Sequence, residues 1–251
     1  MFVLRNWRST IFVDRVLRPS RNYINSITGQ PSETGMYIHA ANARFPKLKY
    51  YSNTTFTEFK CWNCQTVSDT KPSLFCKTCT LIQSNEQQNF NYFELFNIDN
   101  QYDIDTEQLT SNFRQLQNLM HPDRFSNKTE EEKVLSESFS SLLNKAYTTL
   151  MNPFLRGLYI LNIHGLSIEE TSVTMDNSFL SEIMEWNEKV EEADSKESLE
   201  NIKKDVDVVL LNLYKELSRA FSEKNLSRAK ILLSKAKYFT TMLDKIKELD
   251  M

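Results

Sequence analysis

The sequence contains few residues that interrupt helices. Of its 251 residues, 4 are glycine and 6 are proline, so long helices are favoured over a fold rich in tight turns. The sequence also lacks any run of 18 apolar residues, which argues against a membrane-spanning helix. Its formal net charge of −3 argues against a nucleic-acid-binding protein that relies on phosphate contacts. Neither a membrane nor a nucleic acid is therefore an expected partner.

Cysteine is also scarce, and its distribution is informative. The four cysteines form two C-x-x-C pairs, Cys61 with Cys64 and Cys76 with Cys79. Two such pairs supply a tetrahedral shell of four thiolates, with metal–sulfur distances near ~2.3 Å. We predict one structural Zn²⁺ that stabilises residues 59–82, because four protein ligands leave no position open for a substrate. A rubredoxin-like iron site and a redox dithiol are the alternatives.

Arginine without lysine characterises the beginning of the chain. Residues 1–30 contain five arginines, no lysine and a single acid, Asp14, with apolar residues between the arginines. This composition is typical of a mitochondrial transit peptide, and a disordered basic tail is the alternative. Residues 31–58 follow no helical or strand period and are punctuated by Pro31 and Pro46, so we predict a linker.

Two helical patterns flank the short polar segment His121-Pro122-Asp123. Pro122 disfavours helical backbone at the residue before it, so the first helix should end at Met120. Thr129 and Glu132 form a capping box that should begin the second helix. The two helices should pack as an antiparallel pair. Their predicted core stripes are Leu109, Phe113, Leu116 and Met120 in the first helix, and Leu135, Phe139, Leu142, Ala146 and Leu150 in the second.

More helical patterns follow this pair. Asn152-Pro153 should end the second helix, and a short helix should follow over 154–163 and close at Gly165. Three longer amphipathic patterns occupy residues 177–250, with a turn near Asn225, and their short connections predict an antiparallel bundle. Their predicted core stripes are Phe179, Ile183, Trp186, Val190 and Ala193; Leu199, Ile202, Val206, Val209, Leu213, Leu217 and Ala220; and Leu232, Ala236, Phe239, Leu243 and Ile246.

Leu180 and Met184 lie outside the core stripe of the first bundle helix. Each follows a stripe residue, Phe179 or Ile183, by one position and therefore points about 100° away around the helix. The two side chains form an additional apolar ridge, which either widens the core contact or serves as a docking surface for another protein. The spacing alone leaves both interpretations open.

Several segments of the chain resemble the HscB family of iron–sulfur cluster co-chaperones. The matching segments are Asn91-Tyr92-Phe93-Glu94-Leu95-Phe96, Tyr102-Asp103-Ile104-Asp105, His121-Pro122-Asp123-Arg124-Phe125, Asn144-Lys145-Ala146-Tyr147-Thr148-Thr149-Leu150 and Asn152-Pro153-Phe154-Leu155-Arg156-Gly157-Leu158-Tyr159-Ile160-Leu161. The first cysteine pair resembles the zinc-bearing mitochondrial form of the family. The resemblance implies an all-α fold. A small four-cysteine zinc knuckle domain would precede a J-domain helical hairpin in residues 90–165 and a C-terminal antiparallel three-helix bundle in residues 176–251.

The resemblance also implies a function without catalytic activity. The J-domain would stimulate ATP hydrolysis by a DnaK-type heat-shock chaperone in the mitochondrial matrix, with a cytosolic pool left open. His121, Pro122 and Asp123 would trigger that hydrolysis, and Asp123 would accept a charge-assisted hydrogen bond from a chaperone arginine. Arg114 and Arg124 would add a small basic face beside them.

The bundle, by the same resemblance, would deliver an IscU-type scaffold protein to the chaperone and promote cluster transfer. Leu180, Met184 and Tyr238 match family residues that contact the scaffold, whereas Ser181 departs from the bacterial pattern, which has methionine there. Two other functions remain open at this point. One is a general J-domain co-chaperone whose bundle forms a homodimer. The other is a zinc-ribbon enzyme or redox protein.

Overall fold

Seven α-helices and one two-stranded sheet make up the part of the chain that the computed structural model describes, residues 59–68, 72–86, 88, 90–166 and 175–249. The all-α prediction is confirmed, since the sheet contains only four residues. The predicted transit peptide and linker lie outside the described residues. Within these residues, no helix is both long and apolar enough to cross a lipid bilayer.

The sheet belongs to the cysteine-containing segment. Strand β1 (Phe59–Lys60) pairs antiparallel with β2 (Val67–Ser68), and Phe59 lies opposite Ser68. A single antiparallel bridge between Phe75 and Ile82 closes the second half of the segment. Each of these short pairings brackets one of the two C-x-x-C turns, so the backbone presents the two turns in similar ways.

The helices follow the order that the sequence predicts. They are α1 (Tyr92–Leu95), α2 (Thr106–Met120), α3 (Glu130–Met151), α4 (Pro153–Ile163), α5 (Asn177–Glu191), α6 (Lys196–Ser222) and α7 (Leu226–Leu249). Helices α2 and α3 form the predicted hairpin, and α5, α6 and α7 form the predicted bundle. Helix α4 contacts α3 on one side and α6 and α7 on the other, so it joins the hairpin to the bundle.

Local signals in the sequence define the helix ends. Helix α2 ends at Met120, as predicted. Thr129 and Glu132 form the predicted capping box of α3, with both reciprocal hydrogen bonds present. Gly165, with a φ of 73°, follows the end of α4. The Gly165 N–H donates to the Asn162 carbonyl, and the Leu166 N–H donates to the Leu161 carbonyl. These two hydrogen bonds form a Schellman motif.

The core stripes are correct in part. In α3, Phe139, Ala146 and Leu150 are fully buried, but Leu142 is only half-buried and the fully buried side chain is Leu143. Helix α3 packs against α1, α2 and α4. Its buried face is therefore wider than the predicted stripe and includes Leu143, one position beyond the predicted Leu142. The predicted stripe residue Leu135 lies at the border of that face and is also half-buried.

The bundle shows the same effect. Phe179, Ile183 and Val190 of α5 are buried as predicted. In α6, however, Leu210 is buried whereas the predicted Val209 and Leu213 are half-buried. Helix α7 buries residues on both sides of its predicted stripe because α4, α5 and α6 all pack on it. The additional buried residues of α7 are Ala229, Leu233, Ser234 and Met242, while the predicted Leu243 is half-buried.

The cysteine-containing segment packs on the hairpin. Ile82 is completely buried and belongs to the same cluster of apolar side chains as Phe139 and Leu143. The Ser138 hydroxyl on α3 donates a 3.0 Å hydrogen bond to Asn85 Oδ1. One buried cluster therefore includes both the cysteine-containing segment and the helices.

Candidate partner-binding surfaces and metal centre

The His121-Pro122-Asp123 segment forms a 3₁₀ turn, Pro122–Phe125, between α2 and α3. His121 has extended backbone (φ −63°, ψ 129°), as expected before a proline. Its Nδ1 accepts a hydrogen bond from the Asp123 N–H at 3.3 Å and lies 3.5 Å from Asp123 Oδ2. The Asp123 side chain is 90% exposed. The turn thus directs a carboxylate into solvent from a backbone that proline and a local hydrogen bond restrain.

Three contacts attach this turn to the hairpin. Phe125 is buried in the core at the end of the turn. The Arg124 guanidinium donates to the Asn118 carbonyl at 3.2 Å, and the Ser136 hydroxyl donates to the Met120 carbonyl at 2.8 Å. Both carbonyls belong to the last turn of α2, where helix carbonyls lack helical partners. The contacts of Phe125 and Ser136 were not predicted from the sequence, although an apolar residue directly after a polar turn is a signal for such an anchor.

The two basic candidates have different surroundings. Arg114 is exposed and lies seven residues before His121, two helical turns away on nearly the same face of α2. Arg124 lies within the turn itself, and one nitrogen of its guanidinium is hydrogen-bonded to the Asn118 carbonyl. Both arginines are exposed, and only Arg124 is hydrogen-bonded within the turn.

The four predicted metal ligands come together in one cluster. The sulfur atoms of Cys61, Cys64, Cys76 and Cys79 all lie within 4.8 Å of one another. Cys61 Sγ is 3.6 Å from Cys79 Sγ, and Cys64 Sγ is 3.5 Å from Cys76 Sγ. A tetrahedral ion with metal–sulfur bonds of ~2.3 Å would require sulfur–sulfur distances of roughly 3.8 Å. The donor set therefore fits a four-thiolate metal site.

The hydrogen bonds around these thiols also suit a metal site. A 3.2 Å hydrogen bond with the Thr66 hydroxyl, supported by the Thr66 backbone, lowers the pKa of Cys64 to about 6. The Leu81 backbone amide acts to lower the pKa of Cys79, but burial and the neighbouring thiols raise it to about 11 overall. Four thiols this close cannot all ionise easily, because the negative charges of their thiolates would repel one another. A bound cation offsets that repulsion, and the thiolate is the form of cysteine that binds a metal.

Each C-x-x-C turn ends on a residue with left-handed backbone. Gln65 has a φ of 60° and Thr80 has a φ of 61°. Their N–H groups donate to the carbonyls of Cys61 and Cys76, respectively, at 3.0 Å in both turns. Glycine is the usual residue in this conformation, and a β-branched residue such as Thr80 is a genuine outlier. The strain indicates that the two turns are held tightly in matching shapes.

The ridge residues are exposed, in contrast to their stripe neighbours. Leu180 is 40% exposed and Met184 is 64% exposed, while Ile183 between them is buried. Tyr238 on α7 is 41% exposed. Its ring lies edge-on to Phe179, with centroids 5.6 Å apart, so α5 and α7 together present these side chains. Leu180 and Met184 do not widen the bundle core, and an apolar surface is left on the bundle.

The turn and the ridge lie on different parts of the molecule. The His121-Pro122-Asp123 turn is at the N-terminal end of α3, and α4 with the bundle follows the C-terminal end of α3. The 22 residues of α3 span about 33 Å. Two candidate binding surfaces are thus carried by two different helical units, which suits a protein that contacts two partners.

Comparisons with known proteins agree with this arrangement. Residues 175–247 match the family described as "HSCB C-terminal oligomerisation domain". The iron–sulfur cluster co-chaperone protein HscB of Homo sapiens is 38% identical over 191 residues, which cover 75% of this chain and 81% of the human protein. The HscB homolog of Arabidopsis thaliana is 28% identical over 236 residues, 91% of each chain.

A solved structure gives the same result in three dimensions. The crystal structure of human co-chaperone protein HscB superimposes with a TM-score of 0.71 and 37% sequence identity. The match covers 76% of this chain and 98% of the human one. Sequence identity of this extent, together with the shared fold, shows that this chain belongs to the HscB family of iron–sulfur cluster co-chaperones.

Proposed function

We propose that this protein couples an iron–sulfur scaffold protein to a DnaK-type heat-shock chaperone and has no catalytic activity of its own. The α2–α3 hairpin, within residues 90–165, acts as a J-domain that stimulates ATP hydrolysis by the chaperone. The bundle, within residues 176–251, binds an IscU-type scaffold and delivers it. The observation that carries the proposal is the exposed Asp123 carboxylate on a restrained turn, at the far end of a hairpin from an exposed apolar ridge.

The turn supplies the contact with the chaperone. Asp123 is exposed and lies in the turn between α2 and α3, so its carboxylate is free to accept a charge-assisted hydrogen bond from a chaperone arginine. Pro122 restricts the backbone angles of the turn, and His121 Nδ1 accepts a hydrogen bond from the Asp123 N–H. Arg114 adds a positive charge on the same side of α2, and Arg124 acts mainly within the turn.

The ridge supplies the contact with the scaffold. Leu180, Met184 and Tyr238 form an apolar surface on the bundle whose area is not covered by any other described part of the chain. Such a surface is typical of a protein–protein contact. Binding there leaves the His121-Pro122-Asp123 turn accessible, so both partners are held at the same time.

The four cysteines bind one Zn²⁺ with a structural role. Four thiolates at tetrahedral spacing suit zinc, and a shell made wholly by protein leaves no position for a reacting group. The ion would join the two turns, each of which has its own short strand pairing, and would add to the 2.7 Å hydrogen bond from Trp62 Nε1 to the Ile82 carbonyl. Residues 1–30 direct the protein to the mitochondrial matrix, on the basis of their arginine-rich composition.

Substitution of Asp123 tests the proposal. Asp123→Ala should abolish stimulation of the chaperone ATPase, measured by steady-state phosphate release, because the carboxylate acceptor is removed. Binding of the scaffold, measured by calorimetry, should be unchanged, because the ridge lies on another unit. Asp99→Ala removes another exposed acid of the same unit and serves as the matched control. Stimulation that survives in Asp123→Ala would contradict the J-domain assignment.

A second function has one observation in its favour. The family model that matches residues 175–247 is described as an oligomerisation domain. A general J-domain co-chaperone whose bundle forms a homodimer would use the same surface for a second copy of the chain. The oligomeric state distinguishes the two functions.

A further inference from the structure

Lys235 of α7 lies beside the apolar ridge and keeps its charge available. Its ammonium nitrogen is 4.7 Å from the centroid of the Phe179 ring, the same ring that Tyr238 contacts edge-on. Contact with an aromatic face holds a cation in place without neutralising it. Lys235 is half-buried, so its ammonium is positioned next to Leu180, the ridge residue that follows Phe179, and is still charged.

Lys245, further along α7, shows the contrast. Its ammonium is paired with the Glu191 carboxylate of α5, at a distance of 2.9 Å. Within the described part of the chain, no carboxylate lies at ion-pair distance from Lys235. The lowered pKa of Asp176, the cap of α5, comes mainly from the Phe179 N–H that it accepts, and Lys235 contributes least among the groups that lower it. The charge of Lys235 is therefore not compensated within the bundle.

Exposed apolar side chains lie on both sides of Lys235 along the helix. Ile231, four residues before it, is 45% exposed, and Tyr238, three residues after it, is 41% exposed. Spacings of three and four residues place side chains on one face of a helix. A partner that covers Tyr238 and reaches Ile231 would also take Lys235 out of water.

The loss of water around an ammonium group is unfavourable unless an opposite charge takes the place of that water. A partner with a carboxylate at this point gains a pairing that strengthens as water is excluded. A partner with an apolar or basic group there is rejected, because the charge of Lys235 stays unpaired. Glu185 and Glu188, which follow Met184 on α5, are exposed and would repel a carboxylate. The charges around the ridge thus favour one position for it, beside Lys235.

We propose that Lys235 is a specificity-determining residue of the ridge and pairs with a carboxylate on the iron–sulfur scaffold protein. Its charge selects a partner surface on which an acidic side chain lies beside apolar ones. This assignment rests on the proposed function. It adds an electrostatic condition to the apolar contacts of Leu180, Met184 and Tyr238.

Lys235→Met tests the charge, because methionine keeps an unbranched side chain over Phe179 but has no ammonium group. Affinity for an IscU-type scaffold is measured by calorimetry at low and at high ionic strength. At low ionic strength the affinity should fall roughly fivefold or more. The salt dependence of binding should become weaker, because one fewer charge pair is screened. Lys235→Arg keeps the charge and should stay within about twofold of the wild-type affinity.

Lys189→Met is the matched control. Lys189 makes the same kind of contact, with its ammonium nitrogen 4.7 Å from the centroid of the Trp186 ring. It follows Leu180 by nine residues and so points to the opposite side of α5. Its substitution should leave the affinity and the salt dependence of binding unchanged. A merely structural role for Lys235 would lower the melting temperature of Lys235→Met and leave the salt dependence as in the wild type, which would contradict the assignment.

A charge exchange tests the pairing itself. Lys235→Glu should weaken binding roughly twentyfold or more at low ionic strength. The exposed acids of the scaffold are then changed to lysine one at a time, and one of these changes should restore binding. Wild-type affinity in Lys235→Met, or no restoration by any scaffold variant, would overturn the assignment of Lys235. Wild-type protein that does not bind the scaffold, or wild-type affinity in Leu180→Ala and Met184→Ala, would instead refute the scaffold site of the proposed function.

Discussion

Lys224 has a backbone conformation that glycine normally adopts. Its φ is 55°, and it occupies the turn between α6 and α7. The N–H of Lys224 donates to Phe221 O and that of Asn225 donates to Ala220 O, which forms a Schellman motif. The predicted turn near Asn225 is present, and Asn225 itself lies between α6 and α7 and caps α7 by accepting from the Arg228 N–H at 3.0 Å. The strained position is one residue earlier.

Lys224→Gly should therefore stabilise the protein. Left-handed backbone costs an ordinary residue roughly 1–2 kcal/mol, and the greater freedom of glycine in the unfolded chain offsets about half of that gain. We expect the free energy of unfolding in urea to rise by up to about 1 kcal/mol. Lys204→Gly, at an exposed site inside α6, is the matched control and should lower it by about 1 kcal/mol. Equal effects of the two substitutions would contradict the strain at Lys224.

The exposure of the ridge gives a second prediction for single residues. Leu180→Ala and Met184→Ala should barely change the melting temperature, because these side chains are 40% and 64% exposed. Each should weaken scaffold binding by more than ~1 kcal/mol in calorimetry if it is a central contact. Tyr238→Ala should behave in the same way.

Ile183 provides the contrast within the same helix. It is 8% exposed, so Ile183→Ala should cost about 2–5 kcal/mol of stability. Scaffold affinity that is retained in folded Leu180→Ala and Met184→Ala protein would show that the partner binds elsewhere on the bundle.

Among the secondary-structure elements, the cysteine segment and the hairpin depend on each other. Ile82 lies in the hairpin core, and Asn85 is hydrogen-bonded to Ser138 of α3. Trp62 of the first cysteine turn donates to the Ile82 carbonyl at 2.7 Å. The metal-binding turns therefore position Ile82, which is buried in the same apolar cluster as the helices. In a separate zinc domain, no residue would be shared in this way.

Removal of the metal should destabilise the helices as well as the cysteine segment. We expect one zinc per chain by elemental mass spectrometry. Chelation should lower the helical melting temperature, followed by circular dichroism, by roughly 2–8 °C, the equivalent of about 1–2 kcal/mol. A Cys61→Ser/Cys79→Ser variant should melt at the lower temperature with or without chelator. A helical transition that chelation leaves unchanged would show that the contacts of Ile82 and Asn85 contribute little.

For the whole molecule, the main question is how many copies work together. The hairpin and the bundle each present one candidate binding surface, and α4 and the stack of Tyr102 on Phe221 connect the two units. If the ridge serves the scaffold, the surface is not available for a second copy of the chain. The two functions considered above thus predict different assemblies.

Sedimentation velocity distinguishes these assemblies. The protein should sediment as a single chain and shift to a larger species when the scaffold is added. A Leu180→Ala/Met184→Ala double variant should remain a single chain in both conditions, because its ridge is truncated. A wild-type dimer that the double variant disperses would favour the dimerising bundle.

The sequence by itself determined features that are encoded within one element. Capping residues predicted the start of α3, proline predicted the end of α2, and glycine predicted the end of α4. Cysteine spacing predicted the thiol cluster. These signals are local, since a cap or a ligand pair acts over a few residues. The roles of His121, Pro122, Asp123, Arg114, Arg124, Leu180, Met184 and Tyr238 in binding partners remain predictions.

Only the tertiary structure decided which faces are buried and what lies where the hairpin joins the bundle. Leu143 is fully buried, whereas the predicted Leu142 is only half-buried, because three neighbouring helices cover α3. Gly157 allows α4 to approach α7 so closely that an added Cβ would lie 2.8 Å from a Leu233 methyl carbon. Arginine side chains are mostly exposed in proteins, yet Arg156 is buried where it contacts Tyr102 and Leu150. Helical periodicity records the residues of one helix, whereas burial depends on every element that packs against it.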